Sequence, residues 1–137
     1  MRYLLDTMSF SAFMEADARL DKHRARLKDE DEVYISVVTT GEVIYGLERL
    51  PQSRRRTRLE QELEIALNSI DGVLDVTQAI ARRWRTLKRD LEKHGTPIGD
   101  DNDLFIAAAA LVHSITLVSS QKSFRYVKGL KVKDWLK

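Results

Sequence analysis

A three-layer α/β sandwich, with a mostly parallel central sheet and helices on both faces, is the fold that this sequence predicts. Short apolar or β-branched runs alternate with longer amphipathic stretches, and successive strands are separated by helices, which implies right-handed crossovers and parallel pairing. At 137 residues the chain is sized for one domain, residues 1–137, burying roughly two-thirds of its unfolded surface.

Met1 to Leu5 is mostly apolar, as a short strand buried on both faces would be, and stops at Asp6-Thr7. Ser9 is a good N-cap, so a helix is predicted from there, burying Phe10, Phe13 and Met14. Asp17 to Glu32 is highly charged with Leu20 and Leu27 as spaced anchors, which predicts an exposed helix or helical arm. Val33 to Val38 is the second strand. Thr39 and Glu42 have the spacing of a capping box, predicting a helix with Val43, Ile44, Leu47 and Leu50 on its apolar side and Pro51 at its end. Leu59, Leu63, Ala66 and Ile70 mark an amphipathic helix whose first turns carry Arg54 to Arg58, a run that by charge bias alone looks loop-like. Gly72 to Val76 is a third strand; Thr77 caps a helix with Ile80, Trp84, Leu87 and Leu91 on one face, terminated by Gly95 and Pro97. Asp103 to His113 is nearly apolar throughout, hence a buried helix, followed by a fourth strand at Ile115 to Val118. An edge strand around Leu130 to Val132 and an aromatic anchor, Trp135, close the chain.

Hydrophobic residues at 43% and charged residues at 32% describe a globular chain. No apolar run approaches the roughly 20 residues that span a bilayer, no signal-peptide pattern precedes Asp6, and there is no cysteine, so a cytoplasmic location without membrane partners is expected. Net charge is only +2, yet the basic residues cluster: Arg54, Arg55, Arg56 and Arg58 in one run, Arg82, Arg83, Arg85, Lys88, Arg89 and Lys93 in another. Such faces are ordinarily solvated helix surface. His23, His94 and His113 have no metal-ligand spacing.

Three acids, each beside an apolar stretch, are the candidates for chemistry. In parallel sheets ligands bind beyond the carboxyl ends of the strands. Asp6 ends the first strand and Glu42 starts the helix after the second, so topology alone brings these two to that edge. Asp103 joins them only if its helix begins there. Each also has a purely structural explanation: Glu42 as the capping-box partner of Thr39, Asp103 as a first-turn acid favoured by roughly 0.3–1 kcal/mol, Asp6 as an Asx-turn residue.

Four stretches together resemble a PIN-domain ribonuclease, and within that family the VapC-type toxin of bacterial and archaeal toxin–antitoxin pairs. Tyr-Leu-Leu-Asp-Thr resembles the opening strand and first metal acid, Asp6. Ser-Val-Val-Thr-Thr-Gly-Glu-Val-Ile-Tyr-Gly-Leu resembles the second motif and supplies Glu42; Pro-Ile-Gly-Asp-Asp-Asn-Asp-Leu-Phe-Ile-Ala-Ala resembles the third and supplies Asp103. The end, from Leu117 to Trp135, resembles the closing strand, turn and terminal Asp-Trp. The resemblance spans essentially the whole chain, with two departures. The family usually has Asn where Met8 stands, which puts a polar contact near Asp6 in question. Its fourth acidic position is Gln121 here, after Ser119 and Ser120, which puts a second metal in question.

The resemblance implies a PIN-like fold and a Mg²⁺-dependent endoribonuclease, with Mn²⁺ as an alternative ion, acting on structured or single-stranded RNA such as tRNA. It also implies silencing by a cognate antitoxin lying in the groove between the first helices, and a homodimer. Hard divalent cations prefer oxygen ligands and retain waters when held by few carboxylates. Asp6 and Asp103 are then the main metal ligands, and Glu42 a ligand through water or an orienter of the nucleophile. Asp100, Asp101, Ser119 and Gln121 are auxiliary candidates, and Arg54, Arg55, Arg56 and Arg58 the RNA contacts. Clustering should raise at least one carboxylate pKa without metal. The rival reading is a PIN-like module whose Met8 and Gln121 have cost catalysis, leaving RNA or protein binding. A phosphoacceptor receiver domain is disfavoured, since it needs paired acids after the first strand.

Overall fold

Five short strands, β1 (Arg2–Leu5), β2 (Glu32–Ser36), β3 (Gly72–Leu74), β4 (Thr116–Val118) and β5 (Val132–Lys133), form one sheet in the order β3-β2-β1-β4-β5 in this computed structural model, which describes residues 1–137. Every pairing is parallel. β1 lies at the centre, with Leu4 in register with Tyr34 of β2 and Leu117 of β4. A central strand of a sheet covered on both sides must be apolar on both faces, and this is why the run Tyr3-Leu4-Leu5 does not alternate.

The helices are α1 (Thr7–Met14), α2 (Ala18–Arg24), α3 (Val37–Glu48), α4 (Arg54–Ser69), α5 (Gln78–Lys93) and α6 (Asp101–His113), with a 3₁₀ turn at Lys122–Tyr126. Successive β1 side chains point to opposite faces. Leu4 joins the core formed by α5 and α6, with Ile80, Leu87, Leu104 and Ile106; Tyr3 and Leu5 join the core under α1 to α4, with Phe10, Ile35, Val43 and Leu63. The run Ala107 to Ala110 is buried throughout, its small side chains letting α6 sit between sheet and α5. Trp84 stacks on Phe105 at 4.9 Å between ring centroids, so it belongs to this packing rather than to a surface platform. Trp135 packs against Tyr3 at 5.0 Å. No helix is long and apolar enough to cross a membrane.

Several local expectations are corrected. α1 starts two residues before Ser9, because Asp6 is the better-placed cap: its Oδ1 accepts from the Ser9 N–H at 2.8 Å. The charged stretch 17–32 is helical only over Ala18–Arg24, capped by Asp17, and its end already belongs to β2. The capping box at Thr39 does not form. α3 begins at Val37, capped by Ser36, whose Oγ accepts from the Val38 N–H at 3.1 Å. Val37 and Val38 prefer strands, but the Ser36 cap turns the chain into helix before them. The arginine run is helical from Arg54, capped by Ser53, and not a loop. The last strand is Val132–Lys133 rather than around Leu130.

Candidate metal centre

The carboxyl edge of the sheet gathers the three acids by three different devices. Asp6 follows β1 directly, and its backbone N–H still donates to Val118 O of β4 at 3.0 Å, so the strand pairing fixes its Cα. Its side chain is buried, which for a carboxylate demands a partner. One oxygen accepts from Ser9 N; the Ser9 hydroxyl in turn donates to Val118 O at 3.1 Å, tying α1 to β4 beneath the acid.

Glu42 lies in the second turn of α3, too far in to cap it. Thr7 Oγ1 donates to Glu42 Oε1 at 2.6 Å and sits 3.1 Å from Thr39 Oγ1. Thr7 is the first residue of α1, immediately after Asp6, so this bond ties the second acid to the element that carries the first. Thr39, which looked like a cap, is instead fully buried one turn before Glu42.

Asp103 is in the first turn of α6, which is capped by Asp100 accepting from Asn102 N at 2.8 Å. Its carboxyl is pushed up to about 6. Burial contributes most, then the Asp100 charge; the Gln121 side chain pulls the other way, and Asp6 and Glu42 add the remainder. Asp103 therefore feels both other acids, so its helix begins at this edge; its pKa rises mainly through burial, and the like charges add to that.

The auxiliary candidates divide. Asp100 contributes charge beside Asp103, whereas Asp101 points outward to an ion pair with Lys88 Nζ at 2.9 Å. Ser119 is buried and its Oγ accepts from Gln121 N at 3.0 Å; Gln121 Nε2 donates to Ser123 Oγ at 2.8 Å. Met8 is 63% exposed, its Sδ accepting from Ser120 Oγ at 3.6 Å, so a thioether and a hydroxyl occupy the rim beside Asp6. Of the arginine run, Arg56 is taken by Glu60 at 2.8 Å and by Leu50 O, and Arg58 faces Glu62 at 3.7 Å; Arg54 and Arg55 are exposed and without an ion pair. A cavity of about 210 Å³ beside Glu42 and Thr7 reaches only Leu59 of α4, the next residue after Arg58.

The donor set is all oxygen, which suits a hard divalent cation, and the mutual repulsion at Asp103 is what such a charge would relieve. It is not a closed cage: no group of three or more His, Cys, Asp or Glu side chains is drawn tightly enough to hold an ion as it stands. Glu42 is held by Thr7 instead. The hydroxyls of Thr7, Ser9 and Thr39 were not foreseen as part of the site. Their signal in the sequence was adjacency, since Thr7 follows Asp6 and Thr39 precedes Glu42 by one helical turn.

The PIN-domain family model matches residues 3–130. Ribonuclease VapC1 of Haemophilus influenzae (strain R2866) is 29% identical over 142 residues, covering 100% of each chain. The tRNA(fMet)-specific endonuclease VapC of Shigella flexneri is 26% identical over 135 residues, covering 98% of each. Among solved structures, VapBC-1 from nontypeable Haemophilus influenzae is 27% identical with a TM-score of 0.83, covering 100% of each chain. VapBC2 from Rickettsia felis, bound to a DNA fragment from its promoter, is 24% identical and shares the fold with a TM-score of 0.86, covering 98% of this chain and 99% of that one.

Proposed function

The chain belongs to the PIN-domain family, and on that premise we propose that it is a Mg²⁺-dependent endoribonuclease, the toxin of a type II toxin–antitoxin pair, hydrolysing RNA phosphodiester bonds at the acidic edge of the sheet. The observation that carries this reading is the convergence of charge from three elements: Asp103 on α6 feels Asp6 after β1 and Glu42 on α3. The names of the similar proteins, ribonuclease and tRNA-specific endonuclease, support the substrate class.

Asp6, Asp103 and Glu42 would hold the cation. When bound, Mg²⁺ or Mn²⁺ supplies a Lewis acid that lowers the pKa of water and neutralises charge on the phosphate. Asp6 offers an oxygen whose position is set by β1 and by the Ser9 N–H. Thr7 holds one oxygen of Glu42 and leaves the other to orient the attacking water. Asp103, with its pKa near 6, holds a proton in mildly acidic solution and releases it near neutrality, when cation binding needs the ionised form. Gln121 offers neutral hydrogen bonding where the family usually has a fourth acid.

A cognate antitoxin belongs to the same reading. The similar structures are VapBC complexes, and a groove of about 730 Å³ between α3 and α4, with an apolar floor of Ile44, Leu47, Leu63 and Ile65 and acids Glu48, Glu60 and Glu64 around it, supports a place for an amphipathic segment. The homodimer rests on the family resemblance, and sedimentation mass tests it.

Incubation of total RNA with wild type and Asp6→Asn, in Mg²⁺, Mn²⁺ or EDTA, tests the activity. Cleavage by wild type with metal, absent with EDTA and in the variant, is expected. Equal background in both proteins would reject the nuclease and leave the alternative, a PIN-like module that binds RNA or protein without cutting.

A further inference from the structure

A cleft of about 660 Å³ lies between α5, from Arg83 to its end, and the segment from the 3₁₀ turn to Gly129, outside the acidic edge. Its lining carries Arg83, Arg125 and Lys128 against a single acid, Asp90, with the His94 ring beside them. Arg83, Arg125 and Lys128 form no ion pair, while Asp90 already faces Arg89 at 3.8 Å. The Arg125 guanidinium is held without being neutralised: it lies 4.8 Å from the Tyr126 ring centroid and donates to the Tyr126 hydroxyl at 2.7 Å. Three cations without an ion pair thus converge from two segments on one concave surface that holds a single acid, Asp90. A fixed guanidinium presents the planar fork that matches phosphate oxygens.

The segment that lines the cleft starts beside the acidic edge. Gln121, whose side chain meets Asp103, immediately precedes the 3₁₀ turn, and at ~2 Å rise per residue Arg125 lies roughly 8 Å further along it. We propose that this cleft, through Arg83, Arg125 and Lys128, is a second RNA site that grips backbone phosphates beside the scissile one. The proposal rests on the ribonuclease reading above, because only a polyanion already seated at the acidic edge runs on into the cleft. Arg83 belongs to a basic face visible in the sequence; Arg125 and Lys128 come from a segment that sequence patterning did not connect with it.

Binding of unfractionated tRNA across a salt series tests this, with Asp6→Asn as the parent so that bound RNA is not cut. Arg125→Gln with Lys128→Gln is compared with Lys22→Gln with Arg26→Gln, an equal charge change on the opposite side of the sheet. All four positions are exposed, and unchanged melting temperatures confirm folding. Each lost phosphate contact lowers the slope of log affinity against log salt by roughly 0.7–0.9, which at 0.15 M is about four- to fivefold in affinity. The cleft pair should therefore lose roughly fifteen- to thirtyfold and the control pair little. Equal losses in the two pairs, while wild type cleaves RNA, would overturn the cleft alone; an acidic protein would then be the occupant to seek. No cleavage by wild type together with no salt-dependent tRNA binding would overturn the ribonuclease reading and the cleft with it.

Discussion

Replacing Asp103 by Asn should stabilise the metal-free protein. The Asp103 carboxyl rises from 3.8 to about 6, roughly 2 units, or ~3 kcal/mol against the charged form at 1.36 kcal/mol per unit. The group is only half-buried, so solvent screening reduces this to about 1–2 kcal/mol. Its place in the first turn of α6 favours the charge by ~0.3–1 kcal/mol and trims the gain further. A net gain of about 1 kcal/mol corresponds to a rise of ~3 °C in melting temperature for a chain of this size. The pH dependence has a definite sign. An acid whose folded pKa is raised binds its proton more tightly when folded, so wild-type stability falls as pH rises from about 4 to 6 and this contribution is flat above. The Asn variant lacks that fall. Its advantage is absent near pH 4 and complete by pH 7 in thermal melts with EDTA, and Mg²⁺ should raise wild type but not the variant. A variant that melts at or below wild type at pH 7 in EDTA would refute the burial and like-charge cost assigned to this carboxylate.

Thr7→Val removes the 2.6 Å bond to Glu42 and should lower kcat/KM on RNA by about 10- to 100-fold, as loss of a ligand-orienting partner does, while Thr7→Ser retains most activity. Ser36→Ala should cost ~1 kcal/mol of α3 capping in denaturant melts; a neutral result would return the cap to Thr39. Leu104→Ala, at a fully buried position of α6, should cost about 2–5 kcal/mol in the same melts. Saturating Mg²⁺ should raise the wild-type melting temperature and EDTA reverse it, since an ion that binds only the folded chain stabilises it; an unchanged melting curve would count against a cation site.

The layers were legible because their causes are local. A short apolar run without alternation fits a strand covered on both faces, which marked β1, and a helix apolar nearly all round is a buried one, which marked α6. Asp6 and Glu42 followed from parallel topology. What sequence did not resolve were the competitions between nearby caps. Asp6 against Ser9, and Ser36 against Thr39, are each pairs of good capping residues three apart, and only the sheet's position decides which one the chain reaches in an extended conformation. That same decision changed the meaning of Glu42. Once Ser36 caps α3, the Thr39 hydroxyl is free for Thr7, and Glu42 turns to Thr7 rather than back along its own helix. The arginine run looked like a unit in sequence, but i,i+4 pairing to Glu60 and Glu62 removes Arg56 and Arg58 from it. Arg125 and Lys128, by contrast, carry no periodic signal and gain significance only beside α5.

Binding of Mn²⁺, followed by the loss of free-ion signal in electron paramagnetic resonance, reads the acidic edge without reference to RNA. Wild type should take up the ion at neutral pH and lose affinity as pH falls below about 6, where Asp103 is protonated. Asp6→Asn and Asp103→Asn should each weaken binding by at least tenfold, and Glu42→Gln by less. Undiminished Mn²⁺ binding in all three variants would mean that the carboxylates brought together by β1, α3 and α6 do not form one site.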